Sequence, residues 1–182
     1  MRTVSYLAFG SNMLSLRLQA RTPSARPLGA VELVGWRLAF HKRGADGSGK
    51  GDLVPAPETE RVFGVVYSLA EAEVPILDRF EGPGYDRNLI EVRLDDAPVR
   101  CLTYQASPGY IDASLKPYHW YRRLILAGLL EHGADDDYIA AVSSCPWRRD
   151  PFPFRPARRR ALAALRAFNG RYPRLASRLA KL

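Results

Sequence analysis

Apolar and polar positions change their period several times along the chain, and each change marks an element. Val4–Phe9 is a run of aliphatic and aromatic residues that stops at Gly10-Ser11-Asn12, the pattern of a buried strand entering a tight turn. Met13–Ala20 carries Met13, Leu14, Leu16 and Leu18 and reads as a short helix. Ala30–His41 reads as a long strand or a strand pair with a turn at Gly35. Gly44–Asp52 holds four glycines and reads as a flexible loop. Val62–Ser68 is a strand, and Leu69, Val74, Leu77 and Phe80 fit one face of a helix over Ala70–Phe80. Glu81-Gly82-Pro83-Gly84 stops that helix. Tyr85–Leu94 and Val99–Gln105 read as a hairpin around Asp95-Asp96-Ala97-Pro98.

Helices follow. Tyr118–His132 is amphipathic, with Tyr121, Leu124, Ile125 and Gly128 along one side and Gly133 closing it. Asp135–Val142 continues as a short helix. Pro146–Pro156 contains four prolines and reads as a linker, and Ala157–Phe168 as a basic helix with Leu162, Leu165 and Phe168 on one stripe. Five or six strands lie in the first two-thirds, without regular crossover helices between them. This excludes a doubly wound parallel sheet and points to an α+β protein, a small mixed β-barrel with flanking helices. The expected division is a domain over residues 1–145 and a proline-containing, basic helical extension over 146–182.

Charge sharpens that division. Of a net +8, residues 148–182 hold ten arginines and Lys181 against Asp150 alone, so the body is nearly neutral. Such a tail suits a weak anionic partner such as nucleic acid or a membrane surface. It equally suits a helix docked on the body, or on a second copy in a homodimer, with its arginines in water. Cys101 and Cys145 form no C-x-x-C pair, and His41, His119 and His132 are scattered, so neither a metal nor another cofactor is expected. No apolar run is long enough to span a bilayer, and the N-terminal apolar stretch is broken too soon for a secretory signal. The chain reads as cytoplasmic.

Two segments carry candidate chemistry. In Tyr6-Leu7-Ala8-Phe9-Gly10-Ser11-Asn12, a strand runs into a turn whose glycine permits close backbone approach and positive φ. Successive N–H groups there can gather around an anion, or the turn can be an ordinary helix start capped by Ser11 or Asn12. In Phe80-Glu81-Gly82-Pro83-Gly84-Tyr85, a carboxylate stands at a helix C-terminus, facing the negative end of the dipole. Apolar walls from Phe80 and Tyr85 would complete the setting of a general base. Alone, the same residue reads as a solvated surface glutamate.

Taken together, these segments resemble the γ-glutamylcyclotransferase-like family, which includes γ-glutamylamine cyclotransferases and AIG2-like proteins. Its first strand ends Y-G-S-N, matched by Phe9-Gly10-Ser11-Asn12 with Phe9 in the tyrosine's place. Its later acidic turn is matched by Glu81-Gly82 with Tyr85 following, and its closing helix by Pro117, Tyr121, Ile125, Gly128, Gly133 and Tyr138. The resemblance covers roughly residues 4–142. It implies a small-molecule γ-glutamyl substrate and release of 5-oxoproline by internal cyclisation. By the same resemblance Glu81 is the catalytic acid/base, and Tyr6, Leu7, Ala8, Phe9, Gly10, Ser11, Asn12, Tyr85 and Tyr121 are substrate-binding. Asn12 stands where the glutathione-specific branch has a hydrophobic residue, which favours γ-glutamyl amino acids or amines as substrates. The leaving group is expected to face Gly44–Asp52. His41, Lys42 and Arg43, beside that segment, offer cations to an acidic leaving group or form a solvated loop edge. The competing readings are a non-catalytic γ-glutamyl or carboxylate binder on the same fold and an anion-associating protein working through its tail.

Overall fold

The computed structural model describes residues 2–182. Strand β1 (Thr3–Ala8) leads through a 3-10 turn at Ser11–Met13 into helix α1 (Ser15–Gln19). Strands β2 (Arg26–Val34) and β3 (Trp36–Arg43) follow, separated by Gly35 at φ +78, so the long segment is indeed two strands. Then come β4 (Gly49–Pro55), β5 (Arg61–Ala70) and α2 (Val74–Glu81). β6 (Tyr85–Leu94) and β7 (Ala97–Ala106) form a hairpin whose loop is only Asp95-Asp96, both at positive φ. That backbone matches the twist of a two-residue hairpin. Four helices complete the chain: α3 (His119–Glu131), α4 (Asp136–Ser144), α5 (Pro156–Arg171) and α6 (Pro173–Leu179).

Five strands form one mixed sheet in the order β2-β5-β1-β7-β6. β1 lies at its centre, antiparallel to β5 with Tyr6 opposite Tyr67, and parallel to β7 with Tyr6 opposite Leu102. The sheet curls until Leu94 of edge strand β6 lies against Gly29 of edge strand β2, where an added Cβ would stand 2.6 Å from Leu94 Cδ1. The α+β architecture with flanking helices is thus as the sequence predicts. Strand alternation serves two cores. Tyr6 and Ala8 of β1 face the helices and join Tyr67, Leu124 and Ile125, whereas Leu7 and Phe9 face the opposite side with Val31, Leu53, Val66 and Cys101.

The glycine-rich segment departs from expectation. Only Gly44–Ser48 is a turn, closed by Gly44 N–H on the Ser48 carbonyl (2.9 Å). The rest is β4, paired with β3 as a separate two-stranded sheet. Its glycines serve close approach rather than freedom. A Cβ at Gly49 would collide with the Phe40 carbonyl oxygen, and one at Gly51 would lie 3.3 Å from Leu38 Cδ1 and 3.4 Å from Tyr121 Oη.

The C-terminal extension packs on the body. Ala161, Leu165, Phe168 and Leu179 are buried in the same core as α3. The proline-rich segment is pinned by Asp150, which accepts from Trp120 Nε1 (3.0 Å), Phe152 N–H (3.0 Å) and Arg155 Nε (3.2 Å). Among the described residues no helix is long and apolar enough to cross a membrane.

Candidate active site

Local sequence explains how each side chain reaches the site. β1 delivers Tyr6 to the helical side of the sheet and ends at Gly10, whose carbonyl accepts from Met13 N–H (3.0 Å). This closes the 3-10 turn and leaves the N–H groups of Ser11 and Asn12 at its open start. Gly10 has φ −118, so the expected left-handed backbone is absent there. What requires a glycine is proximity: an added Cβ would lie 3.5 Å from Tyr121 Oη. α2 begins with a proline in its first turn and ends at Glu81 because Gly82, at φ +70 and ψ −174, turns the chain sharply.

Asn12 joins these two segments. Its Nδ2 donates to Glu81 Oε1 (2.7 Å) and to Tyr6 Oη (3.0 Å), and its Oδ1 accepts from Arg21 Nη1 (3.0 Å). The amide is used on both ends, which fixes its orientation. Arg21 also reaches Glu81 Oε1 at 3.5 Å. Phe80 does not wall the carboxylate as the sequence suggests. It is 41% exposed, with the Arg21 guanidinium stacked 4.8 Å from its ring centre. The surroundings of Glu81 are hydrogen-bond donors and a cation instead.

Glu81 opens onto a narrow cleft lined by Tyr6, Phe9, Gly10, Ser11, Asn12, Gly51, Tyr85, Tyr104 and Tyr121. Four tyrosines surround it, and burial raises the pKa of each above its ordinary value, so all remain protonated at neutral pH. Their hydroxyl protons are not equally free. Tyr85 donates to the Gly51 carbonyl and Tyr104 to Asp78 Oδ1 (2.6 Å). Tyr6 accepts from Asn12, and Tyr121 accepts from Gly51 N–H (3.0 Å), so each keeps its proton for another acceptor. Of the residues the sequence singled out, Leu7 and Ala8 do not line the cleft; their side chains are buried in the two cores. The ring of Phe9 packs in the second core and borders the cleft. Gly51 and Tyr104 were not foreseen. Cys101–Tyr104 is buried without alternation, so no period marks Tyr104, and nothing local distinguishes Gly51 from its neighbouring glycines.

Beyond Glu81 the cleft opens into a larger basin of about 500 Å³, with Ser11, Glu81, Tyr85 and Tyr121 common to both. The turn Gly44–Asp46 forms part of its wall. Lys42 is no solvated edge. It is 3% exposed, donates to the Pro83 carbonyl (2.9 Å), and lies 4.3 Å from the Tyr85 ring centre. His41 turns to Asp52 (2.7 Å) and Arg43 to Asp112 (3.5 Å).

The chain is similar in sequence and fold to several known proteins. Residues 61–142 match the model of the AIG2-like family. The chain is 28% identical to the γ-glutamylcyclotransferase of Bos taurus over 148 residues, covering 76% of this chain and 77% of the relative. It is also 28% identical to the γ-glutamylcyclotransferase of Homo sapiens, covering 73% of each. A solved γ-glutamyl cyclotransferase superposes with a TM-score of 0.77 at 20% identity, covering 87% of this chain and 96% of the other. The crystal structure of an uncharacterised human protein superposes equally well, at 21% identity and over 87% and 97% of the two chains.

Proposed function

We propose that this chain is a member of the γ-glutamylcyclotransferase-like family, which it resembles in sequence and fold, and that it cyclises a γ-glutamyl amino acid or amine to 5-oxoproline and the free amine, with Glu81 as acid and base. The observation that carries this reading is a carboxylate held by Asn12 and Arg21 at the mouth of a cleft ringed by protonated tyrosines.

In this mechanism the start of the turn at Gly10-Ser11-Asn12 takes the substrate α-carboxylate through its free N–H groups. Glu81 removes a proton from the α-amino group. The nitrogen then attacks the γ-carbonyl carbon, closing a five-membered ring and placing negative charge on the carbonyl oxygen. Tyr6 and Tyr121, whose hydroxyl protons are uncommitted, donate to that oxygen. When the tetrahedral species collapses, Glu81 returns its proton to the departing nitrogen and the γ-amide bond breaks. Nucleophile and electrophile belong to one molecule, so holding the chain folded supplies much of the acceleration.

The decisive experiment is 5-oxoproline release from γ-glutamyl-alanine and ε-(γ-glutamyl)-lysine by wild type and Glu81→Gln. The variant is expected to bind both compounds and to lose roughly 10²–10⁴-fold in kcat, the range of a general acid/base. Undiminished release by Glu81→Gln removes that residue from the chemistry. Binding without release by wild type makes the protein a γ-glutamyl binder.

A further inference from the structure

The basin beyond Glu81 has a charge imbalance that cyclisation alone does not require. Seven basic side chains line it against two carboxylates, Asp46 and Glu81. Three of the seven are committed: Lys50 to Asp46 (2.7 Å), Arg43 to Asp112 and Arg21 to Glu81. The other four are Arg17, Lys42, Arg79 and Arg160. None has a carboxylate within 4.0 Å among the described residues.

Buried cations are normally paired, because removing a charge from water without a partner is costly. Lys42, buried, and Arg17, half-buried, stand without a carboxylate partner beside the reaction centre. Arg17 gives its Nε to Ser11 Oγ (3.2 Å), and its terminal nitrogens find no acceptor among the described residues. Burial, with Arg21 adding to it, lowers its pKa to about 9, which leaves it charged at neutral pH. Burial also lowers the pKa of Lys42. Arg160 and Ala157 come from α5, so the C-terminal extension contributes a cation and an apolar side chain to a basin lined mainly by the body. The volume suits a small molecule. Glu81 lies at the seam, where the scissile amide has to sit, so whatever occupies the basin is the leaving group.

Resting on the cyclotransferase reading, we propose that the basin is a subsite for leaving amines that carry two or more negative charges, with Arg160 of the C-terminal helix as a specificity-determining residue. Carboxylate and phosphate share the chemistry that Arg17, Lys42, Arg79 and Arg160 recognise.

The test compares γ-glutamyl-ethylamide, γ-glutamyl-alanine, γ-glutamyl-glutamate and γ-glutamyl-O-phosphoserine at low and high salt. Turnover is followed with wild type, Arg160→Glu and Arg160→Lys, and binding to wild type and Glu81→Gln by calorimetry. At low salt kcat/KM is expected to rise about tenfold from the uncharged to the doubly charged leaving groups, and the gradient to shrink at high salt. Arg160→Glu should lower the γ-glutamyl-glutamate value about tenfold and leave γ-glutamyl-ethylamide within about twofold, with Arg160→Lys restoring most of the loss. A higher value for phosphoserine than for glutamate identifies phosphate as the preferred group, and the reverse identifies carboxylate. Equal kcat/KM for all four at both salts overturns the subsite while leaving cyclisation intact. If wild type releases no 5-oxoproline from any of them, cyclisation fails and calorimetry decides the subsite. Selective binding of the doubly charged compounds retains it, and unselective or absent binding rejects it.

Discussion

Four tyrosine hydroxyls meet at the cleft, but their hydrogen bonds divide them into two kinds. Tyr85 and Tyr104 have spent their protons on Gly51 and Asp78, whereas Tyr6 and Tyr121 are held as acceptors with theirs uncommitted. Removing the hydroxyl should therefore have unequal effects. Tyr6→Phe and Tyr121→Phe are each expected to lower kcat by about 10²-fold, the scale of one oxyanion donor. Tyr85→Phe should instead show itself mainly as a stability loss of about 1 kcal/mol, since a protein hydrogen bond is removed without touching the oxyanion. Steady-state kinetics at saturating substrate and urea unfolding of the three variants separate the two effects. Equal kinetic losses would show that hydrogen-bond commitment does not sort the four rings.

At the scale of elements, the site depends on how tightly α3 supports the 3-10 turn. Gly128 faces that turn, and an added Cβ would lie 2.7 Å from Met13 Cβ and 2.8 Å from the Leu14 nitrogen. One of the obstacles is backbone, so the turn has to move. Gly128→Ala is expected to destabilise by about 1–3 kcal/mol and to lower activity through displacement of Asn12, read as a shifted urea midpoint together with a reduced kcat. The same turn rests on a buried polar cluster in which His132 Nε2 meets the Met13 carbonyl (3.0 Å), Tyr67 Oη (3.1 Å) and Ser15 Oγ (3.2 Å), with Glu131 at 3.6 Å. Burial lowers the His132 pKa below its ordinary value of 6.5, outweighing the opposing pull of Glu131. Below that value the unfolded chain binds a proton that the folded one resists. This contribution to stability is therefore complete above about pH 6.5 and lost as pH falls through it. Thermal midpoints of His132→Gln between about pH 7 and pH 5 should fall less steeply than those of wild type. Parallel slopes would assign the acid sensitivity elsewhere.

For the molecule as a whole, the C-terminal helices are part of the core rather than an appendage to it. Phe168 is fully buried, with its ring centre 5.3 Å from that of Tyr172, whose hydroxyl donates to Glu131 at the end of α3. Phe168→Ala should cost about 3–5 kcal/mol by leaving a cavity against α3. In calorimetry the expected outcome is one transition at lower temperature. Separate melting of the first 145 residues at their original midpoint would instead make the extension an independent unit.

Much of this protein is legible in the amino-acid order because the information is local. Alternation in β1 sends Tyr6 and Leu7 to opposite cores, Gly35 and Gly82 end elements through positive φ, and the stripe of Leu165 and Phe168 finds a surface to cover. Glu81 at a helix end was visible for the same reason. Other features required the tertiary structure. Asn12 and Glu81 are 69 positions apart yet 2.7 Å from each other, and no local period encodes such a meeting. Gly44–Asp52 looked flexible from composition, but its second half is a strand, in which the carbonyl of Phe40 excludes a side chain at Gly49 and the hydroxyl of Tyr121 crowds Gly51. Phe80, read as an apolar wall, lies outside the cleft, and Lys42, read as a loop edge, is buried beside it. Periodicity fixes which face of an element is buried. Which charges and hydroxyls then meet is decided by register and packing between elements far apart in the chain.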